Sequence, residues 1–257
     1  MRLAVCQVSA ALGDKAKNIA TISRAVHTAA CWGTDLVVLP ELFLTGYNIG
    51  SRAAELAEAM DGPSLTAVAK IAARESCAIC VGFAERDGKN VFNSSALFDT
   101  QGNLVALYRK IHLFGPKEQE LFTAGDELVV ARLGDCTIGM AICYDIEFPE
   151  FARALKRRGA DLIVAPTANM LPFVEVPTTF VRARALENGL FLAYANHCGT
   201  EAELEYTGMS GISGPDGLDL ARAGIRGEAL LLAELPTTYP IGSLSTQSDD
   251  LRLSAEK

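Results

Sequence analysis

The chain has 257 residues, a formal net charge of -8, 49% hydrophobic residues and 21% charged residues. That balance supports a sizeable core in one layered α/β domain spanning residues 1–257, and it disfavours nucleic acid as a partner, because phosphate neutralisation needs basic surface. No apolar run approaches the ~18–20 residues of a membrane span, and seven cysteines without framework spacing point to reduced thiols in the cytoplasm.

In chain order, Leu3 to Val8 reads as a strand. Asp14 then caps a helix in which Ile19, Ile22, Val26 and Ala29 or Ala30 recur at helical spacing. Leu36 to Leu39 is a buried strand stopped by Pro40. Ser64 is expected to cap a second helix with Leu65, Val68, Ile71 and Ala72 on one face, and Ala78 to Phe83 is strand-like. Val91 to Phe98 and Leu104 to Lys110 flank Asp-Thr-Gln-Gly-Asn and predict a hairpin; Leu128 to Leu133 and Thr137 to Cys143 predict another across Gly134-Asp135. A helix over Pro149 to Arg158, a strand over Leu162 to Ala165, a helix over about Thr178 to Asn188 and a strand over Leu190 to Ala195 follow. A hairpin around Gly214 to Gly217 and a strand over Ala229 to Leu235 complete the series. From about residue 236 the chain turns polar and aperiodic, and reads as a tail, either disordered or packed on a partner subunit. Hairpins mixed with βαβ-like units predict sheets covered by helices.

Three polar residues fall at strand ends: Glu41 after Leu-Val-Val-Leu-Pro, Lys110 after Leu-Val-Ala-Leu-Tyr-Arg, and Cys143 after Thr-Ile-Gly-Met-Ala-Ile. Catalytic groups of α/β folds gather at such ends. A thiol needs a proton acceptor or positive surroundings to attack; a carboxylate supplies the first, and a lysine stabilises thiolate and oxyanion. The Tyr144 N–H after the cysteine is a candidate oxyanion donor, while Asp145 and Glu147 oppose thiolate formation. Against this stands the ordinary reading of a strand-end cysteine as a small buried side chain.

Leu-Pro-Glu-Leu at 39–42, Tyr-Arg-Lys-Ile-His-Leu at 108–113 and Ile-Cys-Tyr-Asp-Ile-Glu-Phe-Pro-Glu at 142–150 resemble, in order and spacing, the three signatures of the carbon–nitrogen hydrolase (nitrilase) superfamily. The similarity runs on through Ala160–Asn169, Arg182–Asn188 and Tyr194–Asn196, so it covers nearly the whole chain. The resemblance implies Glu41 as general base, Lys110 as oxyanion-stabilising lysine and Cys143 as nucleophile. It also implies a second glutamate, for which Glu118 fits the spacing better than Glu120. It implies an α-β-β-α sandwich, pairing into dimers or larger homo-oligomers, and hydrolysis of a small amide through a thioester without a cofactor. Tyr-Asp after the cysteine looks like the amidase-type branches rather than true nitrilases; an N-carbamoyl amidohydrolase is the other rival.

Tyr47, Phe114, Met170 and Phe173 lie near these ends in sequence and either line a small apolar pocket or pack in the core. Cys77-x-x-Cys80 has redox or zinc half-site spacing but no second pair, and the three histidines lack ligand spacing, so no metal site is expected. A thiol-redox protein and a catalytically silent binding module are the readings from other classes.

Overall fold

The computed structural model describes residues 1–240 and 242–252. The first half supplies β1 (Arg2–Gln7), β2 (Leu36–Val38), β3 (Ala78–Asp87), β4 (Asn90–Phe98) and β5 (Leu104–Arg109). The second half supplies β6 (Val130–Leu133), β7 (Cys136–Met140), β8 (Leu162–Thr167) and β9 (Phe191–Asn196), then a short hairpin of β10 (Thr200–Glu201) and β11 (Leu204–Glu205), and finally β12 (Gly211–Ser213), β13 (Asp219–Arg222) and β14 (Ala229–Glu234). Two six-stranded sheets result, ordered β14-β1-β2-β3-β4-β5 and β6-β7-β8-β9-β12-β13.

Both sheets carry the same sequence of pairings. From β14 inward they run antiparallel, parallel, parallel, antiparallel, antiparallel; from β6 the order is identical. The chain shows no sequence repeat, yet the architecture repeats. The all-apolar strand Leu36–Val38, buried along its length, takes a central parallel position in its sheet.

Alternation along the strands then assigns the layers. Leu3 and Val5 of β1 pack in the cluster that includes Ile138, Met140 and Tyr194 of the second sheet, while Ala4 and Cys6 face the cluster of Ile22, Val26, Leu65 and Val68. Those last four belong to α1 (Lys15–Ala30) and α3 (Pro63–Glu75), with the single turn α2 (Ala53–Leu56) between them. On the other side α4 (Gly115–Leu121) follows β5, and α5 (Pro149–Arg157) and α6 (Val181–Asn188) cover the second sheet. The fold is an α-β-β-α sandwich. Among the described residues, no helix is long and apolar enough to cross a membrane.

Some sequence expectations shift. Asp14 caps α1, its side chain accepting from the Lys17 N–H at 3.0 Å. Ser64 does not cap α3: Pro63 occupies the first helical position, leaving Gly62 as cap, and the Ser64 hydroxyl donates to Glu58 at 2.6 Å. Strand β7 stops at Met140, so Cys143 opens a 3₁₀ turn (Cys143–Glu147) instead of ending a strand. The helix expected from Thr178 starts as a π turn over Val176–Phe180. The tail is not wholly detached from its own chain: Tyr239 lies 6.2 Å from the Phe191 ring. Its residues 241 and 253–257 lie outside the described residues.

One packing constraint ties the fold to the site. A Cβ at Gly82 of β3 would sit 2.4 Å from the Leu42 N, 2.7 Å from the Pro40 O and 2.8 Å from the Glu41 Cα. These are backbone atoms and cannot swing aside. Gly82→Ala should therefore cost about 1–3 kcal/mol of stability and displace the turn that carries Glu41. Urea denaturation together with an activity measurement checks this; an alanine variant unchanged in both would show that the turn yields freely.

Candidate active site

Glu41, at the turn after β2, is fully buried. Its backbone N–H reaches the Thr167 carbonyl at the end of β8 at 3.3 Å, so the two sheets meet where the first delivers its carboxylate. The His197 Nε2 lies 2.7 Å from the Glu41 carbonyl and fixes the turn from below. One carboxylate oxygen, Oε1, accepts from Asn93 at 2.7 Å and from Lys110 Nζ at 2.7 Å. The other, Oε2, is buried without a partner among the described residues.

Lys110 follows β5, with its backbone pinned by Lys110 N donating to the Asn93 carbonyl at 2.8 Å. Its ammonium is fully buried and also donates to Glu118 Oε1 at 2.9 Å. Burial alone would push the ammonium toward its neutral form, but the charges of Glu118 and Glu41 prevail and hold its pKa well above the ordinary lysine value. Glu118, on α4, further accepts from Tyr47 Oη at 2.6 Å and from the Phe114 N–H at 2.9 Å. Glu120 is exposed on the same helix.

Cys143 has φ +47°, a left-handed conformation that a side-chain-bearing residue adopts at a cost of order 1–3 kcal/mol. Four bonds to one carboxylate hold that turn. Asp145 Oδ2 accepts from the Ile142 N–H at 2.9 Å and Tyr108 Oη at 2.8 Å, and Oδ1 from the His112 N–H at 3.0 Å, with His112 Nδ1 2.8 Å away. The ring of His112 stacks on Phe148 at 4.0 Å. Asp145 thus joins the Lys110 loop to the Cys143 turn. Arg184 of α6 closes the far side, donating to the Ile146 and Glu147 carbonyls at 2.9 and 2.7 Å.

The Cys143 thiol opens on a cavity of about 170 Å³ that Tyr47, Phe114, Tyr144, Glu147, Asn169, Met170 and Phe173 also line. Burial and the charge of Glu41 push the thiol pKa well above its ordinary value, against Lys110 and a hydrogen bond from the Ala168 backbone. Burial likewise raises Glu41, with Lys110 opposing. The carboxylate is thereby a stronger base than an exposed one.

The structure thus brings together Glu41, Lys110, Glu118 and Cys143, and lines the cavity with Tyr144 and the four pocket candidates Tyr47, Phe114, Met170 and Phe173. Sequence reasoning missed Asn93 and the joining role of Asp145. The polar run Asn93-Ser-Ser within the buried strand β4 is the one signal that could have marked the first. Cys77 and Cys80 are buried free thiols whose pKa burial pushes to about 12. Among the described residues no group of three or more His, Cys, Asp or Glu could hold a metal ion.

A thiol on a left-handed turn, beside a buried carboxylate–ammonium–carboxylate chain in an α-β-β-α sandwich, is the arrangement of a cysteine-dependent hydrolase. The carbon-nitrogen hydrolase family model matches residues 2–239. A Pseudomonas protegens protein, "Hydrolase in pqqF 5'region", is 45% identical over 91% of this chain and 82% of its own length. An amidase from Nesterenkonia sp. AN1, seen with the acetamide moiety of fluoroacetamide covalently added at its active-site cysteine, superimposes with a TM-score of 0.88 at 34% identity, covering 92% of this chain and 90% of its own. A cysteine mutant of that amidase in complex with butyramide gives a TM-score of 0.90 at 32% identity, covering 98% of this chain and 94% of its own. The chain belongs to the carbon–nitrogen hydrolase (nitrilase) family, in its amidase-type branch.

The raised thiol pKa yields a signed expectation. Alkylation of Cys143 by iodoacetamide should keep accelerating above pH 9, the ordinary value for this group. Glu41→Gln removes a negative charge and should move the profile to lower pH. Peptide-resolved mass spectrometry from pH 7 to 10 separates Cys143 from the exposed Cys31; a plateau already reached below pH 8 would contradict the electrostatics.

Proposed function

We propose that the protein hydrolyses small primary carboxamides to acid and ammonia through a thioester on Cys143. The observation that carries this is the set of hydrogen-bonding positions left open around the cavity. Glu41 commits Oε1 and leaves Oε2 without a partner. Lys110 spends two of its three N–H donors on carboxylates. The Tyr144 N–H lies in the first turn of the 3₁₀ segment, where no preceding carbonyl of that segment can accept it.

The chemistry follows from those positions. Glu41 takes the thiol proton as Cys143 attacks the amide carbon, and Lys110 with the Tyr144 N–H receives the oxyanion. Lys110, held protonated by its two carboxylates, serves as a cation and not as a base. Glu41 then protonates the departing ammonia, and the same carboxylate activates the water that releases the acid. Glu118 orients Lys110 and, through Tyr47, the rim of the pocket.

Amides are preferred over N-carbamoyl amino acids because, among the described residues, no lysine or arginine lines the cavity to meet a carboxylate. Arg182 donates to the Gly217 carbonyl at 2.9 Å and Arg184 is committed to backbone and Glu187. The Tyr144-Asp145 pair after the cysteine, which resembles the amidase-type branches and not true nitrilases, supports amides over nitriles. A homo-oligomer is supported by Leu186 and Leu218, 37% and 59% exposed beside α6; seven free thiols support a cytoplasmic setting. A single carbon–nitrogen hydrolase domain over 1–257, with a polar tail from about 236, completes the reading.

Cys143→Ala should abolish turnover with the fold retained, and activity within tenfold of wild type would remove the nucleophile assignment. Lys110→Ala should lower kcat by about 10²–10³ and cost about 3–5 kcal/mol of stability, because two buried carboxylates lose their counter-charge. Ammonia release from matched amide, nitrile and N-carbamoyl compounds tests the substrate class: a tenfold advantage for the carbamoyl compound would overturn the amide preference and leave the site standing. Light scattering tests the assembly, and an active monomer at micromolar concentration would contradict it.

A further inference from the structure

Glu147 is a charged residue in the cavity that the mechanism does not use. It lines the same space as Cys143, Tyr144 and Asn169, yet its carboxylate makes no hydrogen bond to any described group. The nearest guanidinium is spent elsewhere. Arg184 reaches the Ile146 and Glu147 carbonyls and the Glu187 carboxylate at 3.1 Å. The other charged group acting on Glu147 is Lys110, which is already held by two carboxylates. Burial, partly offset by Lys110 and Arg184, pushes the Glu147 pKa up to about 7. A half-buried carboxylate without a partner is costly to keep unless something else neutralises it.

The cavity supplies the rest of a cation site. The Phe114 ring stands 5.2 Å from Tyr144 and 5.8 Å from Phe173, both edge-on. Such a cluster offers aromatic faces in more than one direction, which attract an ammonium that has left water. Behind the cavity lining, the Tyr194 hydroxyl is buried in the core and has no partner among the described residues. Burial, then the charges of Cys143, Glu147 and Glu41, hold it protonated. Among the described residues that line the cavity, Glu147 is the one carboxylate and there is no lysine or arginine.

Resting on the amidase reading above, we propose that Glu147 sets the substrate's charge: the enzyme selects small carboxamides whose acyl chain bears an ammonium group and rejects those bearing a carboxylate. The amide end meets Cys143, Lys110 and the Tyr144 N–H, and the ammonium end meets Glu147 among Phe114, Tyr144 and Phe173. A cavity of about 170 Å³ limits the acyl part to a handful of heavy atoms.

The test uses 4-aminobutyramide, butyramide and succinamate, which place an ammonium, a methyl or a carboxylate at similar distance from the amide. The wild-type kcat/KM should fall in that order, with at least about a hundredfold between the first and last, since charge complementarity in a dry site discriminates strongly. Glu147→Gln should shrink that ratio by tenfold or more. Glu150→Gln, on the exposed start of α5, should keep it. A ratio unchanged in Glu147→Gln, or a wild-type enzyme that favours succinamate, would overturn the proposal. If no amide is hydrolysed, the amidase reading fails, and protection of Cys143 from iodoacetamide then decides. 4-Aminobutyramide should protect at lower concentration than butyramide, and Glu147→Gln should erase the difference; equal protection in the wild type overturns the charge selection.

Discussion

A fully buried ammonium sets the terms for this molecule. Lys110 Nζ lies 2.7 Å from Glu41 and 2.9 Å from Glu118, with none of the three side chains more than 4% exposed. Removing an ion from water costs several kcal/mol even after relaxation, so these three are tolerable only as a set with near-ideal geometry. Each member then makes demands on the chain around it. Glu41 needs Asn93 on one oxygen. Glu118 needs Tyr47 and the Phe114 N–H. The ammonium needs β5 to end at Arg109 so that residue 110 turns inward.

The sandwich meets these demands by converging independent segments on one end. The turn after β2 is pressed against β3 at Gly82, the only side chain that admits it being none, and it is tied to β8 through Thr167. The Lys110 loop and the Cys143 turn share Asp145, whose two oxygens engage Tyr108, Ile142 and His112. The strain of a left-handed cysteine is thus opposed by charge-assisted bonds, which are stronger than neutral ones, and by the two bonds from Arg184.

Local chemistry in the sequence announced most of this. The all-apolar run before Pro40, the period of α1 and the turn residues of the hairpins each fix an element by short-range physics. The three signature segments, read by resemblance, named Glu41, Lys110 and Cys143, and the same resemblance favoured Glu118 over Glu120. What local reading could not reach depends on contacts between distant segments. Asn93 meets Glu41 across 52 residues and Asp145 meets Tyr108 across 37. Neither strand order nor the matched pairing pattern of the two sheets leaves a periodic trace, because register is settled by packing. Ser64 misled for a different reason: two good helix-start residues stand side by side, and Pro63, with its fixed φ, took the opening position. The same locality explains Glu147. In sequence it is one more acid after the cysteine; only the folded cavity shows that its carboxylate lines that space without a hydrogen bond to any described group.

The charge count explains why a thiol with a raised pKa still suits the chemistry. With Glu41, Lys110 and Glu118 ionised and Cys143 neutral, the buried group carries one net negative charge. Moving the thiol proton to Glu41 Oε2 leaves that total unchanged, since the negative charge passes from carboxylate to sulfur. No additional ion has to be desolvated, and Lys110 faces an anion before and after the transfer. A thiolate formed instead by losing its proton to bulk water would raise the buried charge to two negatives, which is the state that burial and Glu41 disfavour. In the proposed mechanism the proton therefore stays inside. Both carboxylates have to be present for the lysine to remain a cation, and one of them has to keep an oxygen free to receive that proton. The partnerless Oε2 of Glu41, anomalous as packing, is what this internal transfer requires.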